Sequence, residues 1–147
     1  MVVSGRNRSV APTIRASLVL RDFGNDPNVV TKAIGLEPTR KGRAGEASVS
    51  SSGRPISSTV KSTFWSLHSR LSPSSQISEH IADVAQQLGS ASERLSRLPE
   101  GTTLTFRCTI IPEGDLPILA VDVSAAAVLA QMRARLELDV VSVDGPA

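Results

Sequence analysis

The side chains of this chain best suited to metal or acid–base chemistry are two histidines and a single cysteine. His68 falls in an alternating segment, His80 lies near the start of a helical pattern, and Cys108 lies in a second alternating segment. Metal ligands recur at short, characteristic spacings, and these three residues are far apart in sequence. A fold that brings His68 and His80 together would make a polar site of them. We expect no metal and no cofactor, since His80 beside Glu79 is typical of a solvated or capping residue.

Nucleophilic or carboxylate catalysis has no stronger support in the sequence. The many serines lack the G-x-S-x-G pattern of an exposed nucleophile, and Cys108 alternates in phase with apolar residues, as a core side chain does. Glu137 and Asp139 are two residues apart on a predicted strand, so they share a face that we expect to be solvated. We therefore expect a protein that is not an enzyme, and keep a catalytic activity on a small substrate as the rival hypothesis.

A basic segment at residues 40–61 is the pattern that most favours a ligand. It contains Gly42 and Gly45, at the spacing of the G-x-x-G loops that clamp nucleic-acid backbones between two helices. Here Pro38 precedes the glycines, a serine-rich stretch follows them, and no stacking aromatic is interleaved. Phosphate or nucleic-acid binding is the alternative function, against a simple solvated loop. The basic residues are Arg40, Lys41, Arg43, Arg54 and Lys61.

Charge is distributed unevenly between the two halves of the chain. Residues 1–70 contain eleven Lys or Arg and four acids, whereas residues 71–147 contain five Lys or Arg and ten acids. Such a charge dipole can steer an anionic partner toward the first half, although a lopsided polar surface also occurs without any partner. We expect another protein, rather than nucleic acid or a membrane, to be the partner.

Length and composition favour one small cytoplasmic domain. The chain has 147 residues, of which 40% are hydrophobic, with three Phe, one Trp and no Tyr. Residues 1–13 show no apolar period and are predicted to be a flexible tail, followed by a single domain over residues 14–147. Cys108 has no second cysteine to pair with, and no apolar run is long enough to span a membrane, so we expect a reducing cytoplasm.

The most periodic segment is 77–98, and the predicted fold is organised around it. Its apolar residues recur at steps of four and three, which places them in one stripe along a helix that must pack on a sheet or another helix. Ser74 or Ser75 is predicted to cap the first turn, and Gly89 with Ser90 to kink the middle. The stripe comprises Ile77, Ile81, Val84, Leu88, Ala91, Leu95 and Leu98.

Four segments alternate between apolar and polar residues in the manner of strands with one buried face. Each is expected to place its apolar side chains in the core and its polar side chains in solvent. The segments are 14–21, 59–71, 103–111 and 136–140, and the inward residues of the second and last are Trp65, Leu67, Leu71, Leu136, Leu138 and Val140.

Two shorter helices and a loop complete the pattern. Asp26 followed by Pro27 is a strong helix start, and Gly35 suits the left-handed residue after a short helix. Ser124 is predicted to cap a helix before the last strand, and the serine-rich stretch 48–58 to form a loop tip. The order β-α-β-β-α-β followed by α-β predicts an α+β fold with a ferredoxin-like core, a C-terminal α-β extension and a mainly antiparallel sheet.

Short motifs stand in a definite order along the chain. They are Asp26-Pro27 at a helix start, Gly35-Leu36-Glu37-Pro38-Thr39 after that helix, Trp65-Ser66-Leu67 on a strand, and Glu79-His80 at the opening of the long helix. In these motifs, with a basic loop between the second and third, the chain resembles the bacterial family catalogued as DUF4279 over residues 14–143. The resemblance implies a small, soluble bacterial protein of unknown function, and it brings no catalytic residue with it.

These observations together favour a non-enzymatic protein-interaction module. The sequence predicts a sheet with one wet face and no constellation of catalytic side chains, which is a surface for binding rather than for chemistry. An immunity role, in which the partner is a toxin, is one form of this hypothesis. Phosphate or nucleic-acid binding through residues 40–61 is the alternative, and an enzyme of unassigned activity is the third.

Overall fold

The computed structural model describes residues 11–49, 54–115 and 117–141. Residues 1–10 of the predicted tail and residues 142–147 lie outside these ranges, and Thr13 already belongs to a strand. The strands are β1 (Thr13–Arg21), β2 (Arg40–Gly42), β3 (Ala47–Val49), β4 (Pro55–Thr59), β5 (Phe64–His68), β6 (Thr103–Ile111) and β7 (Arg135–Val140). The helices are α1 (Asn28–Ile34), α2 (Ile77–Leu88) and α3 (Val123–Met132), and a 3₁₀ segment spans Gly89–Arg97.

Five strands form one sheet in the order β2-β5-β1-β6-β7. The central strand β1 runs antiparallel to both neighbours, with Leu18 opposite Leu67 of β5 and Phe106 of β6. Strand β2 is antiparallel to β5, and β7 is parallel to β6. Strands β3 and β4 pair with each other as a separate two-stranded ribbon. The predicted α+β class with a mostly antiparallel sheet is confirmed.

Alternation along the strands buries one face of this sheet. Ile14, Ala16, Leu18 and Leu20 of β1 are all buried, as the sequence pattern predicts. The helices pack on this same face and close a single cluster of buried apolar side chains. Helix α1 is held there by a hydrogen bond of 3.1 Å that Trp65 Nε1 donates to Thr31 Oγ1. The stripe of α2 was expected to pack on a sheet or another helix, and it shares this one core with Trp65.

The segment predicted as one kinked helix is an α-helix followed by a 3₁₀ segment. Gln76, rather than Ser74 or Ser75, is the N-cap, because its backbone amide and the Glu79 carboxylate form a capping box. Gly89 ends α2 with a positive φ of 50°, which glycine adopts without strain. The kink is therefore a change of helix type at the residue that the sequence indicated.

The basic and serine-rich region is more ordered than the loop predicted for it. Residues 40–42 form β2, and within the predicted loop tip 48–58, residues 48–49 and 55–58 belong to β3 and β4, whereas residues 50–53 lie outside the described ranges. The prediction of a loop was wrong there because backbone hydrogen bonds, which polar side chains do not prevent, pair these segments. Backbone bonds of 2.8 Å between Gly45 and Val60, and between Val60 and Glu46, close the base of the ribbon.

Three smaller predictions also need correction. The strand predicted over 59–71 is confined to Phe64–His68, and Leu71 is exposed because the chain turns away toward α2 after residue 69. Asp122, not Ser124, caps α3, accepting a hydrogen bond of 2.8 Å from the Ala125 amide. In β7, Leu138 and Val140 are exposed, since β7 is the last strand of the described sheet.

Candidate functional site

The face of the sheet opposite the helices, which we call the open face, carries a set of arginines. The strand register places Arg40, Ser66, Val19, Thr105 and Arg135 in one row across all five strands. These residues alternate with core residues along their strands and therefore point away from the helices. The arginines of the open face are Arg15, Arg21, Arg40, Arg107 and Arg135.

An aromatic ring flanked by two of these arginines is the most organised part of the open face. The Arg21 and Arg40 guanidinium carbons lie 5.8 and 6.0 Å from the centre of the Phe64 ring. Both distances are within the range of a cation–π interaction. Arg21 is further held by a hydrogen bond of 2.6 Å that its Nη1 donates to Ser62 Oγ. We call Arg21, Arg40 and Phe64 the Arg–Phe cluster.

Gly42 makes the position of the aromatic ring possible. A Cβ on residue 42 would lie 2.7 Å from Phe64 Cε1 and 3.2 Å from Val60 Cγ2, closer than side chains pack. The ring therefore lies directly over the backbone of β2. Strand β2 thus supports the Arg–Phe cluster, and the ring can approach the β2 backbone this closely only because residue 42 is glycine.

The Arg–Phe cluster lines a cleft of about 1070 Å³ between the sheet and the β3–β4 ribbon. Lys41 and Lys61 also line this cleft, together with the acidic residue Glu46. The Glu46 carboxylate already accepts a hydrogen bond of 2.7 Å from the Arg43 amide. Cationic side chains therefore outnumber acidic ones in the lining, and the cleft favours an anionic ligand.

The structure separates the basic residues that the sequence grouped together. Arg40 joins the Arg–Phe cluster and Lys61 lines the cleft, but Lys41 Nζ donates a hydrogen bond of 3.0 Å to Asn28 Oδ1. Arg43 forms an ion pair of 3.0 Å with Asp26, at the start of α1. Arg54 is exposed. The predicted set is therefore not one patch, because Arg40, Lys41 and Lys61 line the cleft whereas Arg43 is paired with Asp26 at the start of α1.

A second, smaller groove continues across the open face on the other side of Arg21. Its volume is about 460 Å³, and its lining includes Arg21, Arg107, Arg133 and Arg135. Asp22 also lines this groove, with a left-handed φ of 63° that non-glycine residues rarely adopt. Sequence reasoning missed Arg21, which belongs to both cavities. Its position at the end of an alternating strand, on the polar face, is the signal that would have indicated it.

His68 also lies on the open face, but its contacts hold neighbouring strands together. Its Nε2 is 3.2 Å from Ser66 Oγ, which in turn lies 3.3 Å from the Arg40 carbonyl oxygen. Burial, and secondarily the positive charge of Arg40, lower the pKa of His68. Ser66 is only 3% exposed. The hydroxyl is therefore covered, and the pair braces β5 against β2 rather than presenting a nucleophile to a substrate.

His80 lies on α2, on the opposite side of the sheet from His68. Its Nδ1 is 2.6 Å from Ser69 Oγ, and within the described residues its buried Nε2 has no hydrogen-bond partner. Burial lowers the pKa of His80, against the opposing influence of Glu79 and Asp83. The two histidines therefore do not share a site.

Asp83, which the sequence did not single out, is the centre of a buried polar network beside His80. It accepts hydrogen bonds from the Arg70 amide at 2.9 Å, the Arg70 guanidinium at 3.2 Å and Gln87 Nε2 at 2.9 Å. Burial alone would raise the pKa of Asp83, but these bonds lower it overall. Gln87 also donates to the His68 carbonyl oxygen at 2.8 Å, so the network fastens α2 to the end of β5.

Metal binding and thiol chemistry have little structural basis within the described ranges. No group of three or more His, Cys, Asp or Glu side chains there is arranged to hold a metal ion. Burial raises the pKa of the Cys108 thiol to about 11, so the reactive thiolate is scarce at neutral pH. Among the helices of residues 11–49, 54–115 and 117–141, none has the length and apolar character to cross a bilayer.

The fold and the open face define a small α+β protein with a helix-covered sheet and a cationic surface. A family model described as a domain of unknown function, DUF4279, matches residues 12–142, so the chain belongs to this family. The resemblance seen in the short sequence motifs is thereby confirmed. Comparison with curated proteins and with solved structures finds no match.

Proposed function

We propose that the protein is a non-enzymatic interaction module that binds an acidic segment of another protein on its open face. The observation that carries this proposal is the Arg–Phe cluster at the mouth of the cleft. Two guanidinium groups are held beside one ring, in a cleft whose lining is predominantly cationic. A toxin with an acidic surface, as in an immunity role, is one partner that meets this description.

Guanidinium groups in this arrangement suit carboxylates. Arg presents a planar fork of donors that matches a carboxylate in two parallel hydrogen bonds, and its guanidinium group also packs favourably against aromatic rings such as that of Phe64. Arg and aromatic residues also dominate the binding energy of protein interfaces. A rigid five-stranded sheet holds these groups in place before binding, which lowers the entropic cost of association.

Phosphate or nucleic-acid binding at the same cleft is the second candidate. It is favoured by Arg40 and Lys61, two residues of the predicted basic segment that both line the cleft. A phosphate backbone would be bound chiefly by counterion release, so its affinity would fall steeply as the salt concentration rises. An acidic peptide held by oriented guanidinium groups would depend less on salt.

The two candidates are distinguished by titrating the protein with a fluorescein-labelled deca-glutamate peptide and with a labelled ten-nucleotide DNA strand at two salt concentrations. We expect the peptide to bind, and an R21A/R40A variant to lose about tenfold or more in affinity. An R15A variant, which removes an exposed arginine from the far end of the open face, is the matched control and should bind normally. Equal peptide affinity in R21A/R40A and parent would contradict the proposal, and tighter, steeply salt-dependent DNA binding would favour the second candidate.

We also propose a ferredoxin-like core with α3 and β7 as the C-terminal extension. In support, β2, β5, β1 and β6 lie in this order with every neighbouring pair antiparallel, and the helices pack on one face. The β3–β4 ribbon is then an insertion between the second and third strands of that core. It forms one wall of the cleft.

A bacterial cytoplasm is the location that we propose. Cys108 is buried and has no second cysteine in the sequence with which to form an internal disulfide, which suits a reducing compartment. The bacterial source follows from the family resemblance.

A further inference from the structure

We propose that β7 is a self-association edge, at which two copies of this chain pair their β7 strands antiparallel about a two-fold axis. This inference is independent of the proposed function, because β7 lies at the other end of the sheet from the Arg–Phe cluster. It rests on three features of β7: its open edge, its row of exposed apolar side chains and its pattern of charges.

The two edge strands of the sheet are protected very differently. Edge strands that remain unpaired are usually short, charged with Lys, or interrupted by Pro or a bulge. Strand β2 fits this description, since it has three residues and includes Arg40 and Lys41. Strand β7 has six residues, no Lys, no Pro and an unbroken register with β6, and its three charged residues, Arg135, Glu137 and Asp139, all lie on the open face and leave the opposite face apolar. Its outer edge, unpaired within the described residues, is therefore suited to receive another strand.

Apolar side chains extend from the core onto this edge. Leu136 is half-buried, whereas Leu138 and Val140 are 44% and 47% exposed on the same face of the strand. A two-fold axis at residue 137 places Leu136 of each copy opposite Leu138 of the other, because opposed residues in an antiparallel pair share a face. The cores of the two copies would then be joined across the axis.

Charges on the other face of β7 match the same register. The axis at residue 137 places Arg135 of each copy opposite Asp139 of the other, which would add two symmetric ion pairs to the 3.8 Å contact that Asp139 already makes with Arg107 of its own chain. Glu137 would face its own counterpart across the axis. It is already neutralised locally by Arg135 of its own chain, at 2.6 Å. Antiparallel self-pairing of β7 therefore joins apolar side chains to apolar ones and opposite charges to each other at both ends.

The oligomeric state of the full chain in solution tests this inference. Sedimentation equilibrium of the parent should show a dimer at micromolar concentration, and L138K should be monomeric with an unchanged circular-dichroism spectrum, which shows that the fold is kept. The control I118K changes a residue that is 96% exposed and lies outside β7, and it should remain a dimer.

Exchange of the charged pair tests the register itself. R135D alone and D139R alone should each weaken the dimer by about tenfold, and the two changes combined in one chain should restore it. A parent that stays monomeric up to about 100 μM, a concentration at which even weak specific dimers associate, would overturn the proposal. A dimer that L138K leaves intact would overturn it as well, and so would a failure of the combined variant to recover.

Discussion

The two faces of the five-stranded sheet are built from the same strands and have opposite surroundings. On the covered face, Leu18, Trp65 and Phe106 are completely buried beneath the helices. On the open face, the neighbouring positions Val19, Phe64 and Arg107 contact solvent and a set of arginines. Moving one residue along a strand changes the environment from core to cationic surface, because successive side chains point to opposite sides.

This difference separates stability from recognition. Apolar burial is the dominant favourable term in folding, so changes on the covered face should act on the free energy of unfolding. Exposed charges contribute little to stability, so changes to the open-face arginines should act on binding.

The largest effect is expected for L88A. Leu88 is 3% exposed at the end of α2, and removing most of its side chain leaves a cavity beneath the sheet. We expect the free energy of unfolding to fall by about 2–5 kcal/mol, as measured by urea denaturation. I118A, at an exposed position outside β7, serves as the control and should change stability by less than about 1 kcal/mol. An L88A protein that unfolds together with the parent would show that α2 does not contribute to the core as described.

A G42A variant tests the junction between the two faces. Its new Cβ would overlap Phe64 Cε1 at 2.7 Å, so the ring must move away from β2. We expect a loss of about 1–3 kcal/mol in the free energy of unfolding, as for other overpacked sites, and weaker binding of the acidic peptide. G45A is a less suitable control, since residue 45 has a positive φ. F64L, which replaces the aromatic ring with a smaller aliphatic side chain, should weaken binding with a smaller loss of stability.

A D83N variant tests the network that fastens α2 to β5. The test uses the pH dependence of the stability difference between the variant and the parent. The folded-state pKa of Asp83 lies below its ordinary value of 3.8. The ionised carboxylate therefore stabilises the folded state fully above pH 3.8. This stabilisation is lost as the pH falls through the folded-state pKa. We expect D83N to cost about 1–2 kcal/mol at pH 7, where an ionised acceptor is lost, and less at acidic pH. Urea unfolding at pH 7 and pH 3 measures both values. A deficit that is as large at pH 3 as at pH 7 would exclude the charge as its cause.

Periodicity predicted the covered face well. The alternation over 14–21 and 103–111 and the stripe of α2 identified buried residues. The repeat of two residues in a strand, or of 3.6 residues in a helix, determines which side chains share a face. The helix start near Asp26 and the left-handed Gly35 were also evident, since capping and turn chemistry are local. These features depend on residues close together in the chain.

The open face could not be assembled in the same way. Arg21 and Phe64 are far apart in sequence and meet only because β1 and β5 are neighbours in a particular register. Alternation determines the face on which each side chain lies, but which strands become neighbours, and in which register, also depends on the connections between distant segments. The serine-rich strands β3 and β4 were missed for the same reason, and so was the separation of Arg43 from Arg40.

The central claim is that the open face, and within it the Arg–Phe cluster, binds an acidic protein segment. It is tested most directly by following the ¹H–¹⁵N NMR spectrum of the protein, including the arginine side-chain Nε–H signals, during titration with the deca-glutamate peptide. We expect the largest shifts at Arg21, Arg40 and the amides of β2 and β5, with the helix amides of α2 and α3 unchanged. Shifts concentrated on the helices, or none at the Arg–Phe cluster under saturating peptide, would contradict the claim.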